Sequence, residues 1–82
     1  MLLCDVLPWN AGYQRFDGEI RRLNALVAAV ADEEGVALVA FHDTLEDPSR
    51  PGRMREDWVA DGDHPSVAGY RRLAAVVLDR LR

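Results

Sequence analysis

The part of this sequence best suited to chemistry is Asp61-Gly62-Asp63-His64, followed at once by Pro65. An aspartate three positions before a histidine, with glycine between them, lets a tight turn bring the carboxylate back to the imidazole Nδ1. That contact fixes the tautomer and leaves Nε2 free as a general base. Asp61 and His64 are therefore candidates for two members of a Ser-His-Asp triad. Asp63 is the rival orienter, but adjacent residues in an extended turn point apart, so Asp61 is preferred and Asp63 is expected in solvent. Taken alone, the same four residues would also suit a turn leading into a helix cap.

Neither serine nearby is a suitable nucleophile. Ser66 stands at the start of a helical pattern, where its hydroxyl is wanted as an N-cap. Ser49 lies in Asp47-Pro48-Ser49-Arg50-Pro51, which is turn chemistry without a nucleophile-elbow context. A metal reading would draw on His42, Asp43, Asp61, Asp63 and His64 as an O/N ligand set. No close His-x-x-x-His spacing supports it, and no metal or other cofactor is expected. His42 reads instead as a polar strand end, and Asp43 as a cap or acceptor for the loop that follows. Cys4, inside an apolar run, reads as a small core hydrophobe. Trp9, Asn10 and Tyr13, with Phe16, occupy one loop, and Trp58 precedes Asp61. Both loops leave the carboxyl ends of expected parallel strands, where α/β sites form, so these residues are candidates to contact substrate. For the two tryptophans, a pocket wall and plain packing are both open.

The elements that must position these residues follow from the apolar periods. Met1 to Leu7 is a short apolar run closed by Pro8 and interrupted by Asp5, which predicts a strand. Residues 8–16 read as a loop. Asp17 is the expected N-cap of a helix in which Ile20, Leu23, Val27 and Val30 recur at helical spacing until Gly35. Val36 to Phe41 is a second strand, which makes a βαβ unit with parallel strands. From His42 to His64 the period vanishes, with one helical turn expected around Arg53 to Trp58. A connection this long is usually functional or disordered. After Ser66 a last helix runs to Leu81, with Val67, Tyr70, Ala74, Val77 and Leu81 on its expected packing face.

At 82 residues, 49% hydrophobic and 29% charged, the chain has room for one packed domain and is not a disordered sequence. Ten arginines scattered along a chain of net charge −4 argue against a nucleic-acid partner. No run is long enough for a membrane span, and no signal peptide is seen. A single cysteine supplies neither a disulfide nor a structural zinc site. Two parallel strands and two amphipathic helices are not a self-sufficient α/β domain, so the chain reads as part of a larger sheet.

The string Asp61-x-x-His64-Pro65-Ser66-Val67-Ala68-Gly69-Tyr70 resembles the C-terminal signature of the SGNH, or GDSL-type, esterase and lipase family. The strand before Pro8, Leu23-Asn24 in the first helix, and Phe41-His42-Asp43 extend that resemblance over nearly the whole chain. The resemblance implies a partial flavodoxin-like three-layer α/β/α sandwich in the order β-α-β-loop-α, the C-terminal portion of the hydrolase fold. It also implies that His64 acts as base and Asp61 as its orienter in the hydrolysis of a small-molecule ester. The Gly-Asp-Ser block, the oxyanion Gly and the Gly-x-Asn-Asp block of that family are not among these residues, so the chain by itself is expected to be inactive. Two readings follow. The chain is the C-terminal segment of a serine ester hydrolase, partnered by the missing N-terminal segment; or it is a truncated, non-catalytic relative that covers its sheet edge by self-association or acts as a binding module.

Overall fold

The computed structural model describes residues 1–62 and 64–82; Asp63 and the side chain of Tyr13 lie outside the described part. Strand β1 (Leu2–Cys4) pairs in parallel with β2 (Ala37–Val39), Leu3 opposite Leu38, and helix α1 (Tyr13–Glu34) connects them. The βαβ unit is therefore present, with strands shorter than the apolar runs that announced them. Gly35 ends α1 in the left-handed conformation at φ 67°, and the Val36 N–H closes the cap on the Ala31 carbonyl at 2.9 Å.

The start of α1 differs from expectation. Residues 10–12 form a 3-10 turn that feeds straight into the helix, which begins at Tyr13 rather than at Asp17 and has no side-chain cap. In place of a cap, the Trp9 ring stacks on Phe16 across the helix start, with centroids 5.1 Å apart. Asp17 sits one turn inside the helix, where its Oδ2 accepts from Arg21 Nε at 2.8 Å. Asn24, on the same helix, locks it to the chain leaving β1. Its Oδ1 accepts from the Val6 N–H at 2.8 Å, and its Nδ2 donates to the Val6 carbonyl at 3.0 Å.

The segment expected as a long loop is largely structured. Helix α2 (Phe41–Leu45) starts inside the second apolar run, because the Asp5 carboxylate reaches across from the end of β1 and accepts the His42 N–H at 2.9 Å. Asp5 thus supplies the capping acceptor that Ala40 cannot. A hairpin follows, β3 (Glu46–Asp47) against β4 (Arg50–Met54), with an irregularity in register after Glu46. The Asp47 carboxylate holds its turn by accepting from the Ser49 N–H at 3.0 Å and the Ser49 hydroxyl at 2.7 Å. Gly52 takes φ 86°, which a side chain would strain. A 3-10 turn (Glu56–Trp58) then leads to the Asp61–His64 turn and to helix α3 (Val67–Leu81).

The core is built from this same segment. Leu45, Met54 and Leu73 are buried together, ringed by Leu7, Phe41, Trp58 and Val59. Each such side chain, once withdrawn from water, contributes about 1.5–3 kcal/mol. Helix α3 turns a different face inward from the one expected. Gly69 and Leu73 are buried and Val76 and Val77 half-buried, whereas Val67, Tyr70, Leu78 and Leu81 are exposed. On α1, likewise, Leu23, Leu26 and Val30 are exposed while Ala31 is buried. Both helices carry apolar residues on two faces, so spacing alone could not say which face meets the sheet. Cys4, expected in the core, is exposed, because β1 is an edge of a two-stranded sheet and its last side chain is left uncovered. Among the described residues no helix is long and apolar enough to cross a membrane.

Candidate active site

Three local devices hold the turn that carries His64. The chain on either side of it pairs as an antiparallel bridge, Val59 opposite Pro65, and the Ala60 N–H donates to the His64 carbonyl at 2.9 Å. Ser66 caps α3, its Oγ accepting the Gly69 N–H at 3.2 Å and donating to the Asp57 carbonyl at 3.0 Å. The Ser66 N–H donates to the Trp58 carbonyl at 2.8 Å. Gly69 lies so close to Trp58 that a Cβ there would overlap that carbonyl oxygen and meet Pro65 Cβ at 3.0 Å. Glycine at 69 is thus what lets α3 dock against the arm of the turn.

Within the turn, Asp61 Oδ1 accepts the His64 backbone N–H at 2.9 Å, which fixes the carboxylate relative to the ring. The two Asp61 oxygens lie 3.1 and 3.2 Å from His64 Nδ1. With Nδ1 engaged, Nε2 has no hydrogen-bond partner among the described residues, and the side chain is 68% exposed. An exposed pair of this kind contributes only about 0–1 kcal/mol to stability. Its chemical content lies in orientation: an imidazole held by one nitrogen and open at the other can take and return a proton. Asp63, the alternative orienter, lies outside the described residues.

The turn touches the loop after β1. The Gly62 carbonyl accepts the Ala11 N–H at 3.0 Å, and a Cβ on Gly62 would come within 2.9 Å of Ala11 Cβ. That loop carries most of the expected substrate-contact residues. Trp9 lines an open, mainly apolar groove of about 490 Å³, together with Val6, Leu7, Phe16, Ile20 and Leu23. Asn10 is used internally: its Oδ1 accepts the Met54 N–H at 2.6 Å and its Nδ2 faces the Met54 carbonyl at 3.5 Å. The side chain of Tyr13 lies outside the described part. Trp58 is half-buried against the core cluster, with the Arg55 guanidinium 4.9 Å from its ring centroid.

The five residues weighed as a metal set divide differently from expectation. His42 is buried on α2 beside Asp43 and Glu46, donor atoms of all three lying within 4.8 Å of one another. His42 is thus no strand-end residue, and Glu46 was missed. The one signal that could have found it is the four-residue spacing from His42 on a helix that the apolar run concealed.

The crystal structure of a "putative acylhydrolase" from Bacteroides fragilis NCTC 9343 is similar to this chain, with a TM-score of 0.80 and 23% sequence identity. The match covers 95% of this chain and 39% of that one, so this chain spans well under half of the relative's length. That likeness establishes the fold as α/β of the acylhydrolase type. No curated protein matches the chain. Residues 1–72 match the model of the GDSL-like Lipase/Acylhydrolase family, and the chain belongs to that family.

Proposed function

We propose that this chain is the C-terminal segment of a serine ester hydrolase and supplies the Asp-His part of its triad. The observation that carries the reading is the placement of both Asp61 carboxylate oxygens within 3.2 Å of His64 Nδ1 while Nε2 is left open. In the proposed mechanism a serine hydroxyl from the N-terminal part of the fold approaches Nε2. His64 takes its proton as the oxygen attacks the ester carbonyl, and returns it to the departing alcohol; water then repeats the cycle on the acyl-enzyme. Asp61 keeps the Nδ1–H tautomer and stabilises the imidazolium that forms. The oxyanion is stabilised by N–H donors outside these residues. The apolar groove beside Trp9 supports a place for an acyl or alcohol group, whereas Asn10 and Trp58 are occupied by contacts within the fold.

The test is a hydrolase completed with the N-terminal blocks of the family and assayed on a short-chain aryl ester. His64→Ala is expected to abolish turnover, and Asp61→Asn to lower kcat by about 10⁴-fold, as loss of the correct tautomer does in a serine triad. Asp63→Asn should mainly move the pH profile. Equal losses for the two aspartate variants would overturn the assignment of Asp61. The second reading, a non-catalytic module that self-associates, draws on the exposed apolar residues of α1 and α3, Leu26 and Tyr70 among them. A stable dimer of the chain that cannot be complemented to activity would favour it.

A further inference from the structure

We propose that His42, Asp43 and Glu46 form a binding site for a divalent first-row transition-metal ion, separate in sequence and chemistry from Asp61 and His64. The inference does not depend on the hydrolase reading. His42 and Glu46 are four residues apart across α2 and its cap, so they fall on one side, with Asp43 beside them. His42 Nδ1 lies 3.8 Å from Asp43 Oδ1 and 4.0 Å from Glu46 Oε1. One imidazole and two carboxylates are donors of the type such ions take, with water completing the set.

The surroundings argue that this is more than a cluster of acids. His42 is only 3% exposed, yet its Nε2 is buried with no hydrogen-bond partner among the described residues. A buried ring nitrogen left without a hydrogen bond needs an explanation. Its Nε2 faces Asp17 Oδ1 at 3.5 Å, and both atoms are buried and unsatisfied. A carboxylate behind one ring nitrogen is the arrangement that holds a metal-binding histidine, directing the other nitrogen's lone pair at the ion. Nδ1 is the ring nitrogen beside the two carboxylate oxygens, so an ion held there would meet one nitrogen and two oxygens. Glu46 is held in the same way. Its Oε2 accepts from the Gly52 N–H at 2.8 Å and from Arg21, which leaves Oε1 as the oxygen toward His42.

Charge and access agree. Asp5, Asp17, Asp43 and Glu46 surround His42, and Arg21 contributes one positive charge against them, so a dication lowers the repulsion. Asp43 is 81% exposed, which gives an ion a way in and leaves room for water, beside a cavity of about 270 Å³ that His42 and Asp43 both line. Metal bonds of about 2.0–2.2 Å in tetrahedral geometry place donors about 3.4 Å apart. Toward Nδ1 the two carboxylate oxygens must therefore each close by about half an ångström, Asp43 by rotation of its exposed side chain and Glu46 by a small shift on its own element.

The experiment titrates Zn²⁺ into the metal-free 82-residue chain, following heat and the ring nitrogens of both histidines by NMR, with Mg²⁺ as the control ion. The expected result is one Zn²⁺ per chain, a large shift at His42 Nδ1, and no displacement by Mg²⁺. Asp43→Asn, at an exposed position that leaves the fold intact, and Glu46→Gln should each weaken binding about ten-fold or more. His64→Ala should leave affinity within about two-fold; a smaller change than 0.4 kcal/mol is not read as a ligand loss. Absence of binding at millimolar Zn²⁺, or binding that survives Asp43→Asn and disappears with His64→Ala, would overturn the proposal.

Discussion

Gly69→Ala tests the packing that sets the position of His64. In an open helix the change stabilises by up to about 1 kcal/mol, because glycine has more backbone freedom to lose. At position 69 a Cβ would overlap the Trp58 carbonyl oxygen, sit 3.3 Å from its carbon and meet Pro65 Cβ at 3.0 Å. These are backbone and ring atoms that cannot swing aside. Overpacking of this kind costs about 1–3 kcal/mol. Pushing Trp58 away also weakens its hydrogen bond from the Ser66 N–H, worth about 1 kcal/mol. The clash wins, and the net loss is about 1–3 kcal/mol. For a domain of this size each kcal/mol moves Tm by about 4–8 °C, so a fall of about 5–20 °C is expected in a thermal melt. Gly18→Ala is the control. Position 18 lies inside α1 with nothing within 4 Å of the added carbon, so the same substitution should raise stability by about 0.5–1 kcal/mol. A Gly69→Ala chain that melts at or above the wild-type temperature would refute the docking of α3 on Trp58.

Further outcomes follow from the same structure. The chain alone should hydrolyse an aryl ester no faster than background, and turnover that vanished on Ser66→Ala would show that Ser66 is a nucleophile rather than a cap. Asn24→Ala removes both hydrogen bonds to Val6 and should cost about 1–2 kcal/mol, with faster hydrogen exchange at the Val6 amide as its local signature. Hydrogen bonds from the Ser49 hydroxyl and N–H hold the Asp47 carboxyl below its ordinary value. A lowered folded-state value means stability present above the unfolded pKa of about 3.9 and lost as pH falls through the folded one. The Tm difference between wild type and Asp47→Ala should therefore be constant near neutral pH and shrink below about pH 4; a difference that grew on acidification would contradict the sign.

How much could be read in the sequence depended on whether the signal was local. Gly35 and Ser66 mark helix ends through their own backbone chemistry, and both ends fall where those residues stand. Asp61 reaches His64 because three residues of turn suffice to close the contact. The start of α1 was hidden because a ring stack between Trp9 and Phe16 replaces the cap that Asp17 advertised. Helix α2 was hidden because its capping carboxylate, Asp5, is 37 residues away in the chain. The hairpin was hidden by Pro51 and Gly52, which weaken a strand by propensity but are tolerated in a two-stranded ribbon. The His42 cluster draws Asp17, Asp43 and Glu46 from different elements, and nothing in local spacing brings Asp17 to His42.

The orientation of the His64 ring is the central claim, and ring-nitrogen NMR on the 82-residue chain reads it directly. In its neutral form the His64 ring is expected to carry its proton on Nδ1, toward Asp61, and Asp61→Ala is expected to reverse this preference without unfolding the chain. A wild-type ring protonated mainly on Nε2, or a tautomer indifferent to Asp61→Ala, would contradict it.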